Sequence, residues 1–117
     1  MIPYLVEKLT TVAAQFGERV LVTPNNQISY GLTLEHFAEG ENDQTFLGSM
    51  LFTRCVSGTR VITGRDSKSI GPFEFQGYGA HTNEYPVPYL TAACAIGVTR
   101  QVFFNHPPVE FLYPMMM

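Results

Sequence analysis

The sequence predicts a two-layer α/β domain, with helices packed on a short, largely antiparallel sheet. Three observations carry that reading. Leu5, Leu9, Val12 and Phe16 recur at helical spacing, with Glu7, Lys8 and Gln15 between them. The densest run of strand-forming residues, GSMLFTRCVSGTR over 48–60, breaks at Ser57-Gly58, a dipeptide that reads as a turn. Clusters of Gly, Pro and Asn divide the rest into short segments, giving the order α-β-α-β-β-β-α.

The first helix is expected over 4–16, with Gly17 as its C-cap. Val20 to Thr23 is a short β-like piece, and Pro24-Asn25-Asn26-Gln27 is loop chemistry. Ser29 can N-cap a second helix through Leu32, Leu34, His36 and Phe37, although Tyr30, Gly31 and Thr33 are poor helix formers. An acidic loop follows at 40–43. Phe46 to Thr63 reads as a β-hairpin. With Ser57-Gly58 as a two-residue loop, Arg54 would face Val61, and Arg60 would pair with Cys55 on the opposite face; a three-residue loop would put both arginines on one face as a joint cationic site. A polar connection is expected over 64–71. Phe73 and Phe75 alternate with Glu74 and Gln76 in a third strand over 73–78. After an irregular segment, Pro88 to Ile96 is predicted to be a third helix closed by Gly97. The apolar run beyond Arg100 shows no periodicity.

Composition narrows the function. At 117 residues the chain fits one small domain with a modest core. Charged residues make up 15 %, well below the ordinary ~25 %, so much of the surface is expected to be covered by other protein. A formal charge of −3 argues against an autonomous nucleic-acid binder. Any RNA contact must be local. Cys55 and Cys94 match no zinc or redox spacing and read as small buried side chains. Glu7 and Lys8 interrupt the N-terminal apolar stretch, so it does not read as a signal peptide. No apolar run is long enough to cross a bilayer. A soluble, cytoplasmic protein with no membrane partner is expected.

Catalytic constellations are sparse. His36, His81 and His106 share no metal-ligand spacing. Ser49 and Ser57 lack a nucleophile-elbow context, and the glycines of 71–79 form no phosphate loop. Neither Lys8, on a helix's polar face, nor Lys68, in a polar loop, reads as a Schiff-base lysine. From the residues alone, no catalytic, cofactor-binding or metal site is assigned. The arginines are more informative, because a guanidinium is a planar fork suited to phosphates and base edges. The commoner role for Arg54 and Arg60 is an ion pair with Glu35, Glu39 or Asp43, and Arg60 is assigned that role.

LGSMLFTRCVSGTRVI over 47–62, followed by the F-x-F-x-G run and HTNEYPVPYLTAACAIG over 81–97, resembles one known family. That family is the O-phosphoseryl-tRNA(Sec) selenium transferases, pyridoxal-phosphate enzymes of the aspartate-aminotransferase fold type. GERVLVTPNNQISYGLTL over 17–34 fits the same family, and the likeness covers roughly residues 1–101. The resemblance implies that 1–101 is the small C-terminal domain of a fold-type-I transferase, truncated on its N-terminal side. From Val102 onward the family's amphipathic, charged helix gives way to a divergent apolar tail, 102–117, an expected aggregation liability.

The resemblance further implies a fragment of the enzyme that converts O-phosphoseryl-tRNA(Sec) to selenocysteinyl-tRNA(Sec) with selenophosphate. Pyridoxal 5′-phosphate would be the electron sink. The complete enzyme would be a homo-tetramer, and its Schiff-base lysine would lie in the missing large domain. This fragment would be inactive alone, contributing recognition of the tRNA acceptor end and subunit packing. One residue carries over: the arginine of the F-T-R motif contacts the discriminator base, and that position is Arg54. A guanidinium reads a guanine edge bidentately, for ~1–3 kcal/mol of discrimination. The resemblance thus moves Arg54 from ion pair to RNA contact. The alternative is a non-catalytic α/β interaction domain derived from the same ancestor.

Overall fold

A computed structural model describes residues 2–37, 44–54, 56, 58–64, 66–78, 81–94, 97 and 99. The N-terminal periodicity becomes helix α1, Ile2–Gln15, which buries Leu5, Leu9, Val12 and Ala13 along one stripe. Its end is a Schellman motif. Gly17 takes φ +72, Glu18 N–H donates to the Ala13 carbonyl at 2.8 Å, and Gly17 N–H points at Ala14 O at 3.4 Å.

Strands β1 (Ser29–Thr33), β2 (Val61–Ile62) and β5 (Tyr89–Ala93) form a three-stranded antiparallel sheet in the order β1-β5-β2. Its register pairs Gly31 with Thr91 and Leu32 with Leu90 on one side of β5, and Val61 with Leu90 on the other. Val20 bridges Leu32 on the outer edge of β1. Period-two alternation then assigns the faces. Tyr30, Leu32, Val61, Leu90 and Ala92 belong to one face, where they pack with the helices. Helix α2, Leu47–Thr53, adds Leu47 and Leu51 to that layer, both fully buried. Each buried Leu contributes roughly 1.5–3 kcal/mol by leaving water.

A second, two-stranded sheet pairs β3 (Ser67–Ile70) with β4 (Phe73–Gln76), and all eight of its residues are exposed. Gly71 takes φ +59 in its two-residue loop, a backbone region that glycine enters without strain.

The α/β class, the first helix, the Gly17 cap and the 73–76 strand agree with expectation; several elements differ. The segment 29–37 is no helix. Its first half is β1, because Tyr30 and Leu32 meet Ala92 and Leu90 across the ladder. The Ala-rich stretch 88–96 is likewise a strand over Tyr89–Ala93, at the centre of the sheet, where a small Ala92 lets α1 approach. The hairpin expected over 46–63 is not formed. Leu47–Thr53 is helical, and Val61–Ile62 pairs with β5. The polar connection over 64–71 contains β3. Glu39, the acidic loop 40–43, Cys55, Ser57, His106 and the 102–117 tail lie outside the described residues. Among the described residues, no helix is long and apolar enough to cross a membrane.

Candidate functional site

Arg54 ends helix α2. Its backbone N–H donates to Leu51 O at 3.0 Å, and its guanidinium Nη1 folds back onto Met50 O at 3.1 Å. A cation suits this position, since the last carbonyls of a helix carry partial negative charge. The side chain is exposed, and one such bond leaves most of the fork's donors toward solvent. Phe46 and Phe52, 62 % and 70 % exposed, stand on the solvent side of the same helix, with Ser49 between them.

Arg60 lies elsewhere. It precedes β2, donates its backbone N–H to Thr91 Oγ1 at 3.0 Å, and accepts Thr91 N–H on its carbonyl at 2.8 Å. Extending the Val61–Leu90 register by one residue sets Arg60 opposite Thr91, on the face turned away from the helices. The expected ion pairs do not include Glu35, whose carboxylate meets Arg19 at 3.4 Å. No ion pair joins Arg60 to a described acid.

On that same face a cavity of about 340 Å³ is lined by Thr23, Asn26, Ser29, Tyr85, Tyr89 and Thr91, among others. The Tyr85 and Tyr89 rings stand 5.7 Å apart, tilted by 50°. Burial, then the neighbouring Tyr85, pushes the Tyr89 hydroxyl above its ordinary 10.0, while Arg60 pulls it down. Gly31 sits beneath. A Cβ there would lie 3.2 Å from the Tyr89 ring and 2.8 Å from a Leu21 methyl, so only glycine lets both lie down on β1. Asn26 shapes the mouth. Its Oδ1 accepts the Ile28 and Ser29 backbone N–H groups, and its Nδ2 donates to Ser29 Oγ at 2.9 Å.

Glu18 was not anticipated by the sequence reading. Its carboxylate is fully buried and accepts the backbone N–H groups of Glu35, His36 and Phe37 and the Thr33 hydroxyl. His36 Nδ1 stands 3.9 Å from the same carboxylate. This is a structural anchor for the turn after β1. His81 is exposed and donates its backbone N–H to the Tyr85 hydroxyl. Among the described residues, no three His, Cys, Asp or Glu side chains are grouped to hold a metal. Cys94 is buried in the core, as expected.

The lysines are surface residues. Lys8 Nζ lies 5.5 Å from the Tyr4 ring centre and Lys68 Nζ 4.8 Å from that of Tyr78. Both are exposed, and a Schiff-base lysine needs a desolvated pocket or an adjacent cation. The described residues therefore do not fit pyridoxal phosphate.

The profile of the family described as O-phosphoseryl-tRNA(Sec) selenium transferase, SepSecS, matches residues 1–103. Proteins named O-phosphoseryl-tRNA(Sec) selenium transferase are similar to this chain. That from Dictyostelium discoideum is 40 % identical over 113 residues, covering 83 % of this chain and 24 % of the relative. That from Caenorhabditis elegans is 40 % identical over 93 residues, 79 % of this chain and 19 % of the relative. That from Caenorhabditis briggsae is 41 % identical over 92 residues, 78 % and 19 %. The chain spans about a fifth to a quarter of the length of these relatives.

Proposed function

This chain belongs to the O-phosphoseryl-tRNA(Sec) selenium transferase family, and from that premise we propose that it supplies tRNA acceptor-end recognition to a selenium-transferring enzyme. The observation that carries this reading is the exposed Arg54 guanidinium, held at the end of a packed helix within the family's F-T-R motif. Leu47 and Leu51 anchor α2 in the core. The bond to Met50 O then restricts where the fork can point. A guanidinium so fixed can meet a guanine O6 and N7 together at little further ordering cost.

In the longer enzyme, residues 1–101 act as the small domain and 102–117 as a divergent extension. Pyridoxal 5′-phosphate, when bound there, supplies the electron sink for loss of phosphate and gain of selenium. It is held by residues outside this chain, in the large domain. The full assembly, a cytoplasmic homo-tetramer, brings Arg54 to the tRNA of the complete active site. Replacing Arg54 with Ala in that enzyme should lower kcat/KM for tRNA(Sec) about tenfold, within the range of one lost base pairing. Cofactor absorbance should stay unchanged. Unaltered kinetics with tRNA would remove the role.

One observation favours the second reading, a non-catalytic interaction domain. Phe46 and Phe52 on the α2 segment, and Phe73 and Phe75 on β4, are exposed, and exposed apolar surface marks sites of protein contact where it is contiguous. The 117-residue chain incubated with pyridoxal phosphate separates the two poorly, since both expect no visible aldimine band. Binding to tRNA(Sec) separates them well.

A further inference from the structure

The face of the sheet away from the helices carries groups for which Arg54 provides no role. Arg60, Thr91 and Gly31 form one cross-strand row there, and Tyr89 lies in the next. The cavity above Gly31, Tyr89 and Thr91 has the volume of a small-ligand site, whose usual range starts near 300 Å³. Its walls combine two kinds of chemistry. Tyr85 and Tyr89 offer aromatic surface, while Thr23, Ser29 and Thr91 hydroxyls and the Asn26 amide offer donors and acceptors at the edge. Among the described residues, no carboxylate lines it. Arg60 is exposed beside it and unpaired with any described acid.

We propose that this cavity takes one unpaired nucleotide of an RNA strand, its base against Tyr85 and Tyr89 and its phosphate on the Arg60 guanidinium. Aromatic rings bind bases of any sequence through their π-faces, and the edge hydroxyls can meet a ribose 2′-OH. A single cation suffices for one phosphate, which reconciles the site with a chain of net charge −3. The proposal rests on the reading of this chain as an RNA-contacting domain and adds a second contact to Arg54. Arg54 reads a base edge from the end of α2; the cavity holds a neighbouring unpaired nucleotide without reading its sequence.

The test uses the full 117-residue chain and a fluorescently labelled hairpin RNA with an unpaired 3′ end, against a blunt hairpin and 5′-AMP. The chain has no tryptophan, so tyrosine emission reports stacking directly. Arg60→Ala and Tyr85→Leu should each weaken binding of the overhanging hairpin at least about fivefold, the lower end of one base stack. Arg60→Ala should also reduce the slope of log K against log salt by about 0.7, the share of one single-strand phosphate. Arg60→Lys should restore the slope. Tyrosine emission should fall on addition of the overhanging hairpin and not the blunt one. Arg60 is exposed, so its variants remain informative even where Tyr85→Leu disturbs the loop.

Wild-type affinity and salt slope in both variants, with Arg54→Ala still weakening the complex, would overturn the cavity and leave the proposed function intact. Failure of the wild-type chain to bind the hairpin at all would overturn both. Saturable binding of 5′-AMP without any hairpin binding would overturn the strand in favour of a free nucleotide.

Discussion

The two sheets of this protein both carry aromatic and aliphatic side chains and are held by different physics. The β1-β5-β2 sheet joins segments far apart in sequence, has both of its helices packed on one face, and contains Leu32 and Leu90, which are almost inaccessible. The β3-β4 sheet joins neighbours through a two-residue loop and buries none of its eight residues. Phe73 is 66 % exposed there, while Phe75 meets Tyr78 edge-on at 6.4 Å and Lys68 lies over the Tyr78 ring. Aromatic, β-branched sequence is therefore not what places a strand in a core. A second layer to cover it is required, and among the described residues the first sheet has one.

Substitutions in the two sheets should separate them cleanly. The largest effect is expected at Leu32→Ala, in the covered sheet, which should lower unfolding free energy by about 4 kcal/mol in urea titrations. A loss under about 1 kcal/mol would show that the packed layer does not hold the fold. Next comes Glu18→Ala. It strands the Glu35, His36 and Phe37 backbone donors just after β1 and should cost about 3 kcal/mol by the same measurement.

A pH titration gives a third, smaller effect. Tyr89 is raised in the fold above 10.0 by burial and by Tyr85. The unfolded chain therefore loses that proton first as pH rises. The corresponding stability is whole below about pH 10 and declines as pH climbs through the higher folded value. Tyr89→Phe should remove this alkaline decline, measured as the change in Tm between pH 9 and pH 11. The smallest effect is expected at Phe73→Ser in the uncovered sheet, within about 0.5 kcal/mol of wild type. A loss comparable to Leu32→Ala would abolish the contrast between the sheets.

How far the sequence could be read follows the same division. Helix α1 was legible because its apolar stripe, its polar face and Gly17 all agree locally. Helix α2 is hard to read because its seven residues make only two turns, and exposed Phe52 stands beside the polar Ser49 and Thr53 on the outer side, blurring the period; the Leu47–Leu51 spacing of four is the helical signal. The β1 and β5 strands were misread for the opposite reason. Ala92, Ala93 and Ser29 favour other conformations locally, and the pairing that overrides them lies some sixty residues away, where local propensity has no reach. At the candidate site, Arg54 was named from its motif, but its capping bond to Met50 depends on α2 and could not be foreseen from a strand. For Arg60 the expected partners are Glu35, Glu39 or Asp43; Glu35 is held by Arg19, and the other two lie outside the described residues. Tyr85 and Tyr89 acquire their meaning only once β5 is a strand.

The strand order has one more consequence, in time rather than in space. The central strand of the main sheet, β5, is the last of the three to be synthesised, so β1 and β2 have no partner between them while the chain is being made. At ordinary translation rates the interval between Thr33 and Tyr89 lasts roughly 3–11 s, far longer than the microseconds a β3-β4 hairpin needs to form. During those seconds β1 presents to solvent the edge that β5 will pair, and Leu32 lacks its cross-strand neighbour Leu90. The nascent chain is thus open to strand addition by any neighbour, and a holding chaperone acting on residues 29–62 would be most useful before β5 emerges.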